Sequence, residues 1–152
     1  MKKKSNIKVR AITRILKYPF VPVAVDCVVL KNKKLVLIKV SDKKKPYLKN
    51  KYVLPGGFVN VGETLKSAAA REVKEETGLK VKVLKMINIY DNPKRDPRGH
   101  AISIGFLCRV IGGKLYRRGV TKEIRLVSPR EIKNLRFGLN HKKIIKDCGV
   151  LK

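Results

Sequence analysis

Between Gly57 and Leu79 the chain reads GFVNVGETLKSAAAREVKEETGL, and four acids, Glu63, Glu72, Glu75 and Glu76, crowd into it. The whole chain of 152 residues holds only 11 Asp and Glu against 38 Lys and Arg, so carboxylates are scarce everywhere else. Thr64 is a good N-cap residue and Gly78 a good C-terminal stop, which predicts a helix over 64–77. At 100° per residue, Leu65, Ala69, Glu72, Val73 and Glu76 fall on one side, with Ala68 and Glu75 at its edge, and Lys66, Ser67, Ala70, Lys74 and Thr77 fall on the other. Glu72 and Glu76 therefore share the stripe expected to face the protein. Glu72 also stands at i+3 and i+4 from Glu75 and Glu76, where like charges repel. Half-buried carboxylates that repel one another need a compensating cation. Lysine side chains can supply it. A divalent metal can supply it too, because clusters of carboxylate oxygens suit Mg²⁺ or Mn²⁺, and Mg²⁺ pairs a few carboxylates with substrate phosphates. The Pro55-Gly56-Gly57 turn ahead of the helix lets backbone carbonyls approach a metal without side-chain obstruction. Arg71 can pair with Glu63 or Glu75 and fix their orientation.

The rest of the chain bounds the fold. Its length fits one compact domain, residues 19–152, behind a basic N-terminal segment, residues 1–18. VPVAVDCVVL (21–30) and LVLIKV (35–40) read as a hairpin around KNKK, and YVLPGGFVN (52–60) as strand, turn and short strand. KVKVLKMINIYD (80–91) and HAISIGFLCRVI (100–111) read as strands, as does EIRLV (123–127). Helices follow at 128–135, with Ser128 as N-cap and Pro129 next, and at 140–148. Strands around one helix, closed by another, predict an α/β or α+β domain with a mixed sheet covered by helices. Cys27, Cys108 and Cys148 are odd in number and form no CxxC pair, which argues against a disulfide framework or zinc ribbon and suits a reducing cytoplasm. No apolar run is long enough for a membrane span, and the basic N-terminus lacks the apolar core of a signal peptide. The net charge of +27 attracts polyanions: nucleic acid, an anionic membrane or a small phosphorylated substrate.

Gly57, five residues, Glu63, seven residues, Arg71-Glu72-Val73, one residue, Glu75-Glu76, one residue, Gly78-Leu79 resembles the signature of the Nudix hydrolases at every defined position. The resemblance implies an α/β/α sandwich with a central mixed sheet and a loop-helix-loop catalytic segment. It implies metal-assisted hydrolysis of a nucleoside diphosphate linked to another moiety, with Mg²⁺ or Mn²⁺ as cofactor. The family's metal ligands carry over onto Glu72, Glu75 and Glu76, with the Gly56 carbonyl as a further ligand. The general base in such enzymes comes from the box, to which Glu75 belongs, or from a downstream loop; here Glu123, one of few acids there, is expected to be the base rather than a box glutamate, with Glu75 also in the catalytic set. Arg71 orients the acids.

A second stretch, YDNPKRDPRGH (90–100), resembles the segment that follows the box in ADP-ribose pyrophosphatases. Pro93 and Pro97 stiffen it, Arg95 and Arg98 can clamp phosphate or ribose oxygens, and His100 can orient a neighbour. The bare residues fit a stiff surface loop with solvated arginines equally well. Tyr47, Tyr52, Phe58 and Tyr90 are available to stack on adenine. The expected substrate is a nucleoside diphosphate sugar, ADP-ribose, cleaved to AMP and ribose 5-phosphate. Nucleoside triphosphates and dinucleoside polyphosphates are the alternatives within the enzyme class. An ADP-ribose-sensing regulator would need a further DNA-binding module, for which too few residues follow Val127. An RNA-associated protein would need aromatic–basic motifs, which the sequence lacks. ADP-ribose pyrophosphatases are commonly dimers, so a homodimer is also expected.

Overall fold

A computed structural model of the chain describes residues 20–115 and 122–150; the basic segment 1–18 lies outside them. The first two strands, β1 (Val23–Lys31) and β2 (Lys34–Val40), form the expected hairpin. Asn32 and Lys33 both take positive φ, 49° and 60°. Two left-handed residues are what a two-residue turn needs to match the right-handed twist of its strands.

Beyond the turn the hairpin splays. β1 and β2 pair only at Leu30↔Leu35 and Lys31↔Lys34. Farther on, β1 takes β4 (Gly56–Phe58) as its neighbour, and β2 takes β3 (Lys51–Val53). The stretch read as strand, turn and strand thus sends its two strands to different partners. On its other edge β1 pairs in parallel with β6 (Ile102–Gly113), from Val23↔Ile102 to Leu30↔Arg109. β5 (Leu79–Tyr90) runs antiparallel beyond β6, and β7 (Lys122–Val127) antiparallel beyond β2. The sheet is therefore mixed, as expected.

Three helices complete the fold: α1 (Leu65–Thr77), α2 (Pro129–Ile132) and α3 (His141–Cys148). Alternation along β1 sends Val25, Cys27 and Val29 into a core shared with Ala68, Ala69 and Val73 of α1. Val28 packs on the opposite face with Ile132, Ile144 and Ile145. Helices on both faces of the sheet give the expected three layers. α2 is shorter than the helix predicted over 128–135, although Ser128 caps it reciprocally with Glu131 as its sequence suggests. Among the described residues no helix is long and apolar enough to cross a membrane.

Candidate active site

Because β1 and β2 part, a cleft of about 390 Å³ opens between them, bounded by the Leu54–Phe58 turn, α1 and the loop before β6. The acid-rich helix forms one wall. Thr64 accepts from Ser67 N, Ser67 Oγ accepts from Thr64 N, and Gly78 closes the helix in the left-handed region at φ 79°. The buried stripe is Ala68, Ala69, Val73 and Thr77. Leu65 is exposed, contrary to the wheel drawn from the sequence, and Thr77 is buried. Thr77 enters the core because its hydroxyl donates to Val73 O at 2.6 Å and accepts from Leu79 N at 3.2 Å. Glu72 and Glu76 stand beside this stripe and line the cleft.

Arg71 organises the acids. Its Nε donates to Glu63 Oε1 at 2.7 Å and its Nη2 to Glu63 Oε2 at 2.9 Å. Its Nη1 reaches Glu72 Oε1 at 2.8 Å and Glu75 Oε2 at 3.2 Å, and Nη2 also donates to Phe58 O at 3.0 Å. These bonds, Glu63 first and Glu72 next, raise the Arg71 pKa above its ordinary value. The same fork holds the Glu63 carboxyl below its usual range, helped by Asn60 N–H. Burial pushes the Glu72 carboxyl up, and the opposing pull of Arg71 does not fully offset it.

The turn is tied at three successive backbone groups. Leu54 N–H donates to His141 Nδ1 at 2.8 Å, Pro55 O accepts from Cys27 N at 2.8 Å, and Gly56 N–H donates to Glu76 Oε2 at 3.1 Å. The glycines have steric reasons. A Cβ on Gly57 would lie 2.5 Å from Glu72 Cδ, and one on Gly56 would lie 2.8 Å from Asp26 Oδ1 and press on the β1 backbone.

Hard oxygens of this kind fit Mg²⁺ or Mn²⁺. The Arg71 fork engages one oxygen each of Glu72 and Glu75, so each keeps its second oxygen outside that fork. Among the described residues no three acidic, histidine or cysteine side chains already converge as a closed cage, and Arg71 supplies positive charge between the box acids. Glu72, Glu75 and Glu76 carry the oxygens that could take a metal here.

The facing wall carries the second motif. Arg98 lines the cleft, but its Nε and Nη2 are taken by Asp96 Oδ1 and Oδ2 at 3.0 and 2.7 Å. The guanidinium lies 5.9 Å from the Tyr47 ring centroid and 5.3 Å from that of Phe58. It thus presents no open fork, since Nε and Nη2 are committed to Asp96 and two rings lie against the guanidinium. Arg95 also lines the cleft with its side chain buried, donating from Nη1 to Asn140 Oδ1 at 3.1 Å and lying 3.8 Å from Asp26 Oδ2. His100 is exposed, its Nε2 3.3 Å from Asp91 O, and it is not among the residues lining the cleft. Glu123, on β7, stands opposite Lys39 of β2 and does not line the cleft either. Tyr47 and Phe58 reach the cleft. Tyr52 and Tyr90 sit in the core, their hydroxyls bonded to Arg125 and Asp147.

One buried group was not anticipated. Asp26, central in β1, accepts a short bond from Ser103 Oγ and lies 3.2 Å from His141 Nε2. Burial would raise its pKa most strongly, yet His141, Ser103 and Arg95 together hold the carboxyl below its ordinary value. The visible signal was a lone acid inside an apolar strand, which survives burial only with partners.

A three-layer sandwich with a cleft at a splayed hairpin, walled by a capped helix of glutamates, defines a Nudix-type fold. The NUDIX domain model matches residues 21–148, and the chain belongs to the Nudix hydrolase family. An ADP-ribose pyrophosphatase of Methanocaldococcus jannaschii is 44% identical over 144 residues, 95% of this chain and 82% of that protein. A bifunctional NMN adenylyltransferase/ADP ribose pyrophosphatase of Francisella tularensis, solved with AMP and a Mn ion, is 27% identical with a TM-score of 0.69, covering 93% of this chain and 45% of that one. An ADP-ribose pyrophosphatase of Streptococcus suis shares the fold at a TM-score of 0.67 and 23% identity, covering 87% of this chain and 90% of that one.

Proposed function

We propose that this chain hydrolyses the pyrophosphate bond of ADP-ribose to AMP and ribose 5-phosphate, with Mg²⁺ or Mn²⁺ as cofactor. The observation that carries the reading is one cleft with glutamates on one wall and a stacked arginine with two aromatic rings on the other. The 44% identity to an ADP-ribose pyrophosphatase supports the choice among diphosphate substrates. The cleft volume falls in the range of small-molecule sites.

When bound, the metal neutralises pyrophosphate oxygens and eases loss of a proton from water. Glu72, Glu75 and Glu76 would hold it, and Arg71 keeps Glu63 and Glu72 in register. Tyr47, Phe58 and the Arg98 face offer a stacking surface for adenine, and Arg98 Nη1 a donor to a substrate oxygen. Water adds to one phosphorus, the bridging P–O bond breaks, and a carboxylate takes the proton. Glu72 and Glu76 line the cleft whereas Glu123 and Glu75 do not, so the proton-accepting carboxylate is assigned to the box rather than to β7. Three free cysteines suit the reducing cytoplasm as its compartment.

The test is a substrate panel with Mg²⁺, separating AMP release from pyrophosphate release. ADP-ribose should show the highest kcat/KM and yield AMP and ribose 5-phosphate. A higher kcat/KM for any nucleoside triphosphate, dinucleoside polyphosphate or capped RNA overturns the substrate assignment and leaves the family unchanged.

A further inference from the structure

His141 lies 65 residues beyond the acid-rich helix's Glu76, at the first position of α3, and no part of the box motif points to it. It is 2% exposed and reaches the cleft wall from behind. Its Nδ1 accepts the Leu54 N–H at 2.8 Å. A nitrogen that accepts carries no proton, so the proton of the neutral ring sits on Nε2. Nε2 lies 3.2 Å from Asp26 Oδ1, a close contact without aligned hydrogen-bond geometry. Asp26 is fixed in turn by Ser103, and the same carboxylate oxygen packs where a Gly56 side chain would go. The start of α3 is anchored independently, since Gly138 N–H donates to Tyr52 O at 2.9 Å and Tyr52 N–H to Arg136 O at 2.8 Å.

Leu54, Pro55 and Gly56 are thus gripped one after another by His141, by the β1 backbone and by Glu76. His141 is the side-chain grip that comes from outside the box. Metal sites depend on such outer partners, whose loss typically lowers metal affinity by about 10- to 100-fold.

We propose that His141 is a positioning residue for the metal-binding turn: with Nδ1 bare and Nε2 beside the Asp26 carboxylate, it fixes the Leu54 amide and so sets Gly56 against Glu76. This rests on the reading that the box glutamates and the Gly56 turn hold the metal. It does not depend on which nucleotide is cleaved.

Two substitutions separate the two ring nitrogens. His141→Asn places an acceptor where Nδ1 stands, and His141→Gln places its polar group where Nε2 stands. Mn²⁺ affinity is measured by calorimetry on full-length protein without nucleotide, alongside melting curves and amide exchange at Leu54. His141→Gln, folded, should bind Mn²⁺ about tenfold or more weakly with faster exchange at Leu54, and His141→Asn should stay within about threefold of the parent. Wild-type affinity in folded His141→Gln overturns the proposal, as does an equal loss in both variants. If His141→Gln does not fold, His141→Asn decides alone: a tenfold loss there overturns it, and retention supports it. The parent protein offers a test that needs no variant. Long-range ¹H–¹⁵N correlation should show His141 with Nδ1 bare and Nε2 protonated, and a proton on Nδ1 overturns the role. Because Mn²⁺ binding is read without substrate, failure of the ADP-ribose assignment leaves these outcomes untouched.

Discussion

Gly56 and Gly57 adjoin in sequence, and the structure gives them opposite sensitivities to the same substitution. Gly57→Ala would put a methyl 2.5 Å from Glu72 Cδ and 2.7 Å from its Oε2. That clash is with the far end of a flexible side chain, so the carboxylate swings away and the backbone stays. Gly57 needs no positive φ, and alanine removes unfolded-state freedom worth about 0.4–1 kcal/mol, which offsets the displaced carboxylate. Stability should change by less than about 1 kcal/mol, a shift of about 2–4 °C at most in the melting temperature for a chain of this size. Glu72 is one of the proposed metal ligands, so Mn²⁺ affinity should fall by at least the 10- to 100-fold typical of a disturbed site.

Gly56→Ala meets immovable neighbours. Its methyl would strike the Val25 carbonyl and lie 3.0 Å from Asp26 Cα, both on β1. β4 would have to leave β1 and give up the pairs Ala24↔Phe58, Val25↔Gly57 and Asp26↔Gly56. Overpacking alone costs about 1–3 kcal/mol, and lost backbone bonds add about 1 kcal/mol each. A loss near 4 kcal/mol corresponds to roughly 8–16 °C. Thermal melts of both variants, with Mn²⁺ titrations of the folded one, check the pair. Parent-like Mn²⁺ affinity in Gly57→Ala, or a parent-like melting temperature in Gly56→Ala, would refute the steric reasoning.

Glu123→Gln should keep kcat/KM for ADP-ribose within about threefold, since Glu123 faces Lys39 away from the cleft; a 10²-fold loss with a flattened acidic limb of the pH–rate profile would return it to the role of base. Arg98→Ala should lower kcat/KM for ADP-ribose by roughly 10- to 100-fold while leaving Mn²⁺ affinity unchanged, the loss expected of one charge-assisted contact plus a stacking face; equal kinetics in variant and parent would remove Arg98 from the substrate wall. Stability should fall in acid. Asp26, with burial opposed by His141, and Asp96, bonded to Arg98, both titrate below the ordinary value of 3.8 when folded. A depressed folded pKa contributes stability that is fully present above the unfolded value and is lost as pH falls through the folded one. Urea midpoints should therefore hold steady above about pH 4 on this account and drop below it, and a midpoint that rises below pH 4 would contradict the pairing.

What could be read in the sequence follows how local each determinant is. The α1 ends depend on Thr64, Ser67 and Gly78, which act within one turn, so the helix bounds were legible. The hairpin was legible, but its splaying was not, because the choice of β3 and β4 as wedges is made by long-range pairing. Leu65 and Thr77 were misplaced because a wheel assigns sides by polarity, and a threonine that satisfies its hydroxyl within the helix can be buried. Arg98 was expected to offer its fork to a phosphate, yet Asp96, two residues earlier, already occupies Nε and Nη2. Glu123 was singled out by scarcity, which carries no geometry.

The same scarcity gives the high net charge a structural meaning. Asp26, Asp42, Glu63, Glu72, Glu75, Glu76, Asp96, Glu131 and Asp147 each accept a hydrogen bond or ion pair within the protein. Nine of the eleven acids thus have work inside the fold, at the cleft, at a helix cap or beneath a loop, and few remain to balance the surface lysines. A surface of that sign raises the local concentration of a dianionic substrate, and the attraction weakens with salt. It also enlarges the contrast at the one place where carboxylates gather. Where Glu72, Glu75 and Glu76 stand together, the long-range field draws the phosphates in and the local field would repel them. The divalent cation proposed for the cleft would resolve that conflict, and the charge distribution of the molecule fits the chemistry proposed there.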